Sequence, residues 1–115
     1  MATIQWTEDR NRGDARLFTW EGLTTGDVGT SLTYSGFRDR TVQVVGTFGG
    51  ATAVLEGSND GENWKTLTDP QGNPISFQAT GLETVMEAPL FMRPAVTGGT
   101  SPYLTFILCA GRSIR

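Results

Sequence analysis

The chain consists of short β-like runs separated by glycine, proline, asparagine and aspartate, and this spacing limits its fold more than any other feature. Such runs follow one another from Arg16 to Ala110, with turn-forming residues between them. No window of helical length keeps an apolar stripe at a period of 3.6 residues. The pattern therefore predicts an all-β fold, either an antiparallel β-sandwich or a jelly-roll-like barrel.

The N-terminal part of the sequence differs from this pattern. From Glu8 to Arg16 charged residues predominate, and no apolar periodicity is visible. We interpret residues 1–15 as an N-terminal arm or long loop, and residues 16–115 as a single β-sandwich domain. A length of 115 residues matches one hydrophobic core.

One of the clearest strands is Thr41 to Phe48. Alternation places one set of its residues on a core face and the other on a semi-polar face; the two sets are Val42, Val44, Gly46 and Phe48, and Thr41, Gln43, Val45 and Thr47. Gly49-Gly50 then suits a two-residue hairpin turn. We therefore expect this strand and Ala51 to Glu56 to be antiparallel neighbours.

The last strand, Tyr103 to Ala110, is apolar on both faces. One face holds Leu104, Phe106, Leu108 and Ala110, and the other holds Tyr103, Thr105, Ile107 and Cys109. In a small sandwich, one face of each sheet ordinarily meets water. We therefore expect the second face to be covered by another subunit or a long loop. The alternative is an internal strand that is shielded by the chain's own N-terminal arm.

The composition restricts the possible chemistry. The chain contains no histidine, which excludes catalytic triads and histidine metal sites. With 9 basic and 12 acidic residues, it lacks the cationic field that attracts nucleic acid. We expect a protein that is not an enzyme and that has no cofactor, no metal, and no nucleic-acid or membrane partner. Since the sequence begins without a secretory pattern, we expect the protein to be made in the cytosol.

The most distinctive motif is Ser58-Asn59-Asp60-Gly61-Glu62-Asn63-Trp64, followed by Leu67-Thr68-Asp69 and by Met92 to Gly99. Across residues 40 to 110 this pattern resembles small proteins encoded among phage head genes. The resemblance implies a decoration, or cement, protein on the outside of a capsid. Its partner would be the major capsid protein, and it would act as a homo-oligomer, plausibly a trimer.

The residues nominated for contact with a particle lie in the arm and in one loop. They are Trp6, Arg10, Arg12, Arg16, Phe37, Arg38 and Arg40. A second hypothesis is a carbohydrate-binding, lectin-like module. It requires exposed aromatic side chains, with Trp20 and Trp64 as the candidates.

Overall fold

A computed structural model describes residues 3–12, 15–33 and 39–111, with the side chains of residues 10–12 and 15 excepted. These residues form strands and turns and contain no helix. The strands are β1 Thr3–Ile4, β2 Trp6–Arg12, β3 Ala15–Leu23, β4 Val28–Gly29, β5 Leu32–Thr33, β6 Asp39–Thr47, β7 Thr52–Ser58, β8 Lys65–Thr66, β9 Ser76–Phe77, β10 Gly81–Thr84, β11 Phe91–Thr97 and β12 Tyr103–Gly111. Within this part of the chain, no helix has the length and hydropathy needed to cross a membrane.

The strands form two sheets. The five-strand sheet has the order β10-β6-β12-β3-β2, and every pairing in it is antiparallel. The seven-strand sheet has the order β1-β4-β11-β7-β8, with β5 beside β11 and β9 beside β7. Its β1–β4 pair is parallel. The prediction of an all-β, predominantly antiparallel fold with two sheets is confirmed.

The core lies between the two sheets, as in other sandwiches. The buried side chains of the five-strand sheet include Phe18, Trp20, Val42, Val44, Leu104, Phe106 and Leu108, and those facing them include Leu32, Ala53, Leu55, Met92 and Val96. Trp20 joins the two layers because its indole Nε1–H donates a hydrogen bond to the carbonyl oxygen of Thr30, 3.0 Å away. The burial of Val42 and Val44 confirms this part of the core face predicted for Thr41 to Phe48, whereas Gly46 on the same predicted face is exposed.

The expectation of an N-terminal arm or loop is wrong for residues 3–12. β2 pairs with β3 in register from Trp6↔Trp20 to Arg12↔Ala15 and forms one edge of the five-strand sheet. The ring of Trp6 packs edge-on against Phe18, with centroids 5.4 Å apart, and Glu8 pairs with Arg16. Charged residues are common on edge strands because they discourage pairing with other chains. The charges of this segment therefore protect a sheet edge.

At Gly49-Gly50 the predicted turn is confirmed, but the predicted pairing of the two flanking strands is wrong. Both glycines have positive φ, 58° and 84°, and the Ala51 amide donates to the Phe48 carbonyl oxygen at 2.9 Å, so the turn forms. The flanking strands do not pair, because β6 belongs to the five-strand sheet and β7 to the seven-strand sheet. After the turn the chain crosses to the seven-strand sheet, and on this path Ala51 and Ala53 are buried in the core. The turn therefore connects the layers.

Candidate functional site

The outer face of the five-strand sheet is the strongest candidate for a functional surface. In β3, β6 and β12, buried residues alternate with half-buried or exposed residues that point away from the core. Eight outward residues in the middle of this sheet are uncharged, and we call this set the neutral face: Leu17, Thr19, Thr41, Gln43, Val45, Thr105, Ile107 and Cys109. The next outward residue of β3, Glu21, is exposed and charged, and it bounds the neutral face on that strand.

The strand register aligns the neutral face into rows. Ile107 pairs with Gln43 on one side and with Thr19 on the other. Cys109 likewise pairs with Thr41 and with Leu17. Side chains directly opposite one another on neighbouring strands contact each other and form a continuous surface. Ile107 therefore lies at the centre of the neutral face, among aliphatic, threonine and amide side chains.

Large apolar side chains lie at the margin of the neutral face. On edge strand β10, Leu82 pairs with Gln43 and is 62% exposed. Tyr103 begins β12, is 58% exposed, and lies close over Gly22. On the opposite edge, Asp9 is the first charged residue in the Cys109 row, since it pairs with Leu17. The exposed apolar surface thus extends outward from the neutral face toward β10 and toward the start of β12.

The N-terminal segment does not lie over this face. β2 lies in the plane of the sheet, beside β3, and extends its edge. This position removes the arm as the cover that would explain why β12 is apolar on both sides.

Of the residues nominated from the sequence, the structure describes the side chains of Trp6, Arg16 and Arg40. Trp6 packs on the core and its indole N–H donates to the Ser31 carbonyl oxygen at 3.3 Å. Arg16 is 3.5 Å from Glu8. The side chains of Arg10 and Arg12, and all of Phe37 and Arg38, lie outside the described residues.

Arg40 is a correction to the nomination, because its side chain is buried, with 3% exposure. Alternation places it on the inner side of β6, at the end of the sandwich, where its Nη1 lies 3.5 Å from the Glu87 carbonyl oxygen. Burial lowers the pKa of its guanidinium. A cavity of about 380 Å³ adjoins it, lined also by Pro70 and Met86.

The outer face of the seven-strand sheet is more polar. Arg93 on β11 forms an ion pair with Glu56 on β7, with Nε and Oε1 3.0 Å apart, and its guanidinium carbon lies 4.0 Å from the centre of the Trp64 ring. Trp64 is thereby partly covered. Trp20 is fully buried, so the lectin-like hypothesis loses one of its two aromatic candidates.

The loop after β7 uses its polar groups internally. The Oδ1 atom of Asp60 accepts hydrogen bonds from the amides of Asn63 and Glu62, at 2.8 and 2.9 Å, and from the Ser58 hydroxyl at 2.8 Å. These bonds, those from the Asn63 and Glu62 amides foremost, hold the pKa of Asp60 well below its usual range. The motif is therefore architectural. In the described part of the chain, no group of three or more acidic or cysteine side chains is placed to hold a metal ion.

Comparison with known proteins identifies the fold. No protein-family model matches the chain, and neither does any curated protein sequence. Among solved structures, the chain is similar to the SPBc2 prophage-derived protein YomS, with a TM-score of 0.64 and 12% identity over 84% of this chain and 95% of that chain. It is also similar to an uncharacterized conserved protein with a double-stranded β-helix domain from Klebsiella pneumoniae, with a TM-score of 0.52 and 13% identity over 92% and 70% of the two chains.

Sequence reasoning identified only part of the neutral face. The alternation in β12 revealed Thr105, Ile107 and Cys109, and that in Thr41 to Phe48 revealed the semi-polar set. Their combination into one surface with Leu17 and Thr19 depends on strand order, which a single sequence does not encode locally.

Proposed function

We propose that this protein is a virion structural protein that decorates the outside of a phage head and stabilises contacts between capsomers. The observation that carries the proposal is the neutral face, a set of eight adjoining uncharged side chains on the outer side of the five-strand sheet. Faces of this kind are typical of proteins that are covered by a partner in their working state. The fold shared with a prophage-derived protein supports the same conclusion.

The capsid is stabilised because many identical copies of the protein bind to it. A capsid presents the same site many times, so a small protein that binds each copy adds its buried area at every site. When copies are linked to one another, the second binding event becomes intramolecular and the combined affinity exceeds that of either contact. Such a role needs an apolar surface whose shape fits the surface that it covers. It requires no reaction, which agrees with a chain that has no histidine.

The partner in this proposal is the major capsid protein, and the working form is a homo-oligomer. In this homo-oligomer, regions other than the neutral face are available to bind the capsid. They include the polar outer face of the seven-strand sheet around Arg93 and Glu56, and the charged edge strand β2.

Particle composition tests the proposal. We expect the chain to remain with intact particles of the encoding phage through density-gradient banding, at a copy number that matches the number of capsomer contacts. Quantitative mass spectrometry of the banded particles, normalised to the major capsid protein, measures this ratio. A chain that is produced during infection but absent from the banded particles contradicts the proposal.

A further inference from the structure

We infer that the neutral face is a homodimer interface, on which a second copy of this chain packs sheet against sheet about a two-fold axis. The inference rests on the proposed function, because it names what covers the surface that carries that function. It predicts pairs of chains as the assembled unit.

The absence of charge in the neutral face is the first argument for a second copy. The whole chain has a net charge of −3. In a two-fold dimer both partners present the same patch, so any net charge near the axis faces an identical charge. Like charges placed opposite each other cost several kcal/mol. Leu17, Thr19, Thr41, Gln43, Val45, Thr105, Ile107 and Cys109 avoid this repulsion, whereas a face for an oppositely charged partner would carry complementary charges.

The size of the face is the second argument. The five strands of the sheet hold between four and nine residues each, and at about 4.8 Å spacing and about 3.3 Å rise their whole outer face covers roughly 600 Å². Stable interfaces bury about 600–1,000 Å² per partner. A second copy that covers the whole outer face, its margins with Leu82 and Tyr103 included, therefore reaches the lower end of this range.

The shape of the face is the third argument. Packed sheets prefer small and β-branched side chains that interdigitate across about 10 Å, with strands aligned within about 30°. Thr19, Thr41, Val45, Thr105 and Ile107 are all β-branched, and their outward positions follow the regular alternation of three long strands. A second copy presents the same surface, so that a third interior forms between the two five-strand sheets.

Cys109 provides a probe within the interface. Its side chain is half-buried in the monomer and lies in the row of Thr41 and Leu17. In the dimer the second sheet covers this row. We therefore expect the rate of alkylation of its thiol by a maleimide to fall as the protein concentration rises through the dimer dissociation constant.

Solution mass is the principal test. Sedimentation equilibrium of the full chain at up to about 100 µM, a concentration at which interfaces of standard size are formed, is expected to give twice the chain mass of 12.4 kDa. Ile107→Glu places two carboxylates at the centre of the interface and is expected to weaken dimerisation at least 100-fold. Gln43→Lys, at a position exposed in the monomer, is expected to weaken it in the same direction without disturbing the fold.

The matched control is Val54→Glu. Val54 is also a half-buried, outward-facing residue, but it lies on β7 in the seven-strand sheet, and this variant is expected to remain dimeric. A monomer or a trimer at 100 µM overturns the inference, and so does a dimer that survives both Ile107→Glu and Gln43→Lys. A monomeric chain that is nevertheless found on banded particles would contradict the dimer alone, and a dimer absent from particles would contradict the proposed function alone.

Discussion

Replacing Trp20 with alanine is expected to lower the free energy of unfolding by about 4 kcal/mol, because it removes the largest fully buried side chain. The indole lies between the layers. A Cβ atom at Gly29, on the opposite sheet, would come within 2.5 Å of its Cδ1 atom, so the ring fills the space beside that glycine. The hydrogen bond to the Thr30 carbonyl oxygen is also lost. For a domain of this size the melting temperature should fall by about 15 °C.

Thermal unfolding followed by far-ultraviolet circular dichroism measures this loss. Trp64→Ala is the matched control, since Trp64 lies on the outer surface against Arg93 and its removal should cost about 1 kcal/mol. If Trp20→Ala unfolds at the wild-type temperature, the assignment of Trp20 as the link between the sheets is wrong. This prediction also separates the present account from the lectin-like hypothesis, which requires the fold to persist without Trp20.

Gly46→Ala is the second substitution with a large expected effect, about 3 kcal/mol of destabilisation. Gly46 lies within β6 opposite Leu104, and its φ of 127° is one that residues with a Cβ atom rarely adopt. An added Cβ would also lie 2.2 Å from the carbonyl oxygen of Tyr103. Since that oxygen belongs to the backbone of the neighbouring strand, relief requires β6 and β12 to separate locally.

Gly50→Ala distinguishes steric conflict from backbone strain. Gly50 also has positive φ, 84°, but no atom lies within 4 Å of a Cβ atom placed there. Its substitution should cost about 1 kcal/mol, which is the strain alone. Urea denaturation of the two variants measures both values. Equal losses would show that the Tyr103 carbonyl oxygen does not constrain Gly46.

The fold class was predictable because turn residues and period-two alternation are local signals. They located β12 to within one residue. The N-terminal strand was missed because its inward positions hold Trp6 and Glu8, so the pattern is not apolar. Glu8 is accommodated there by Arg16, a partner contributed by the adjacent strand, and such pairing is invisible until the register is known.

Strand order was not predictable for a similar reason. Gly49-Gly50 has the conformation that joins hairpin strands, and the turn indeed forms. Whether the next strand pairs with the previous one or crosses to the other sheet depends on which packing buries Ala51, Ala53 and Leu55 better. That choice is decided by residues far along the chain. The neutral face lies on β3, β6 and β12, so it could not be predicted without knowing the strand order.

Arg40 shows how the prediction of a contact residue fails. Four successive positions, Phe37-Arg38-Asp39-Arg40, suggested an exposed loop with positive charge. β6 begins at Asp39, so alternation already turns the Arg40 side chain inward. A residue at the first inward position of a strand can have a long side chain that is buried beneath the end of the sheet.

If the chain acts by covering surface on a particle, as we propose, the heat stability of the particle depends on its presence. Particles from a phage with the gene deleted should release their genome, detected with a DNA-binding dye, at a lower temperature than wild-type particles. Adding the purified chain should restore the wild-type temperature. If the purified chain binds the deleted particles at full occupancy and the release temperature does not change, the account is contradicted.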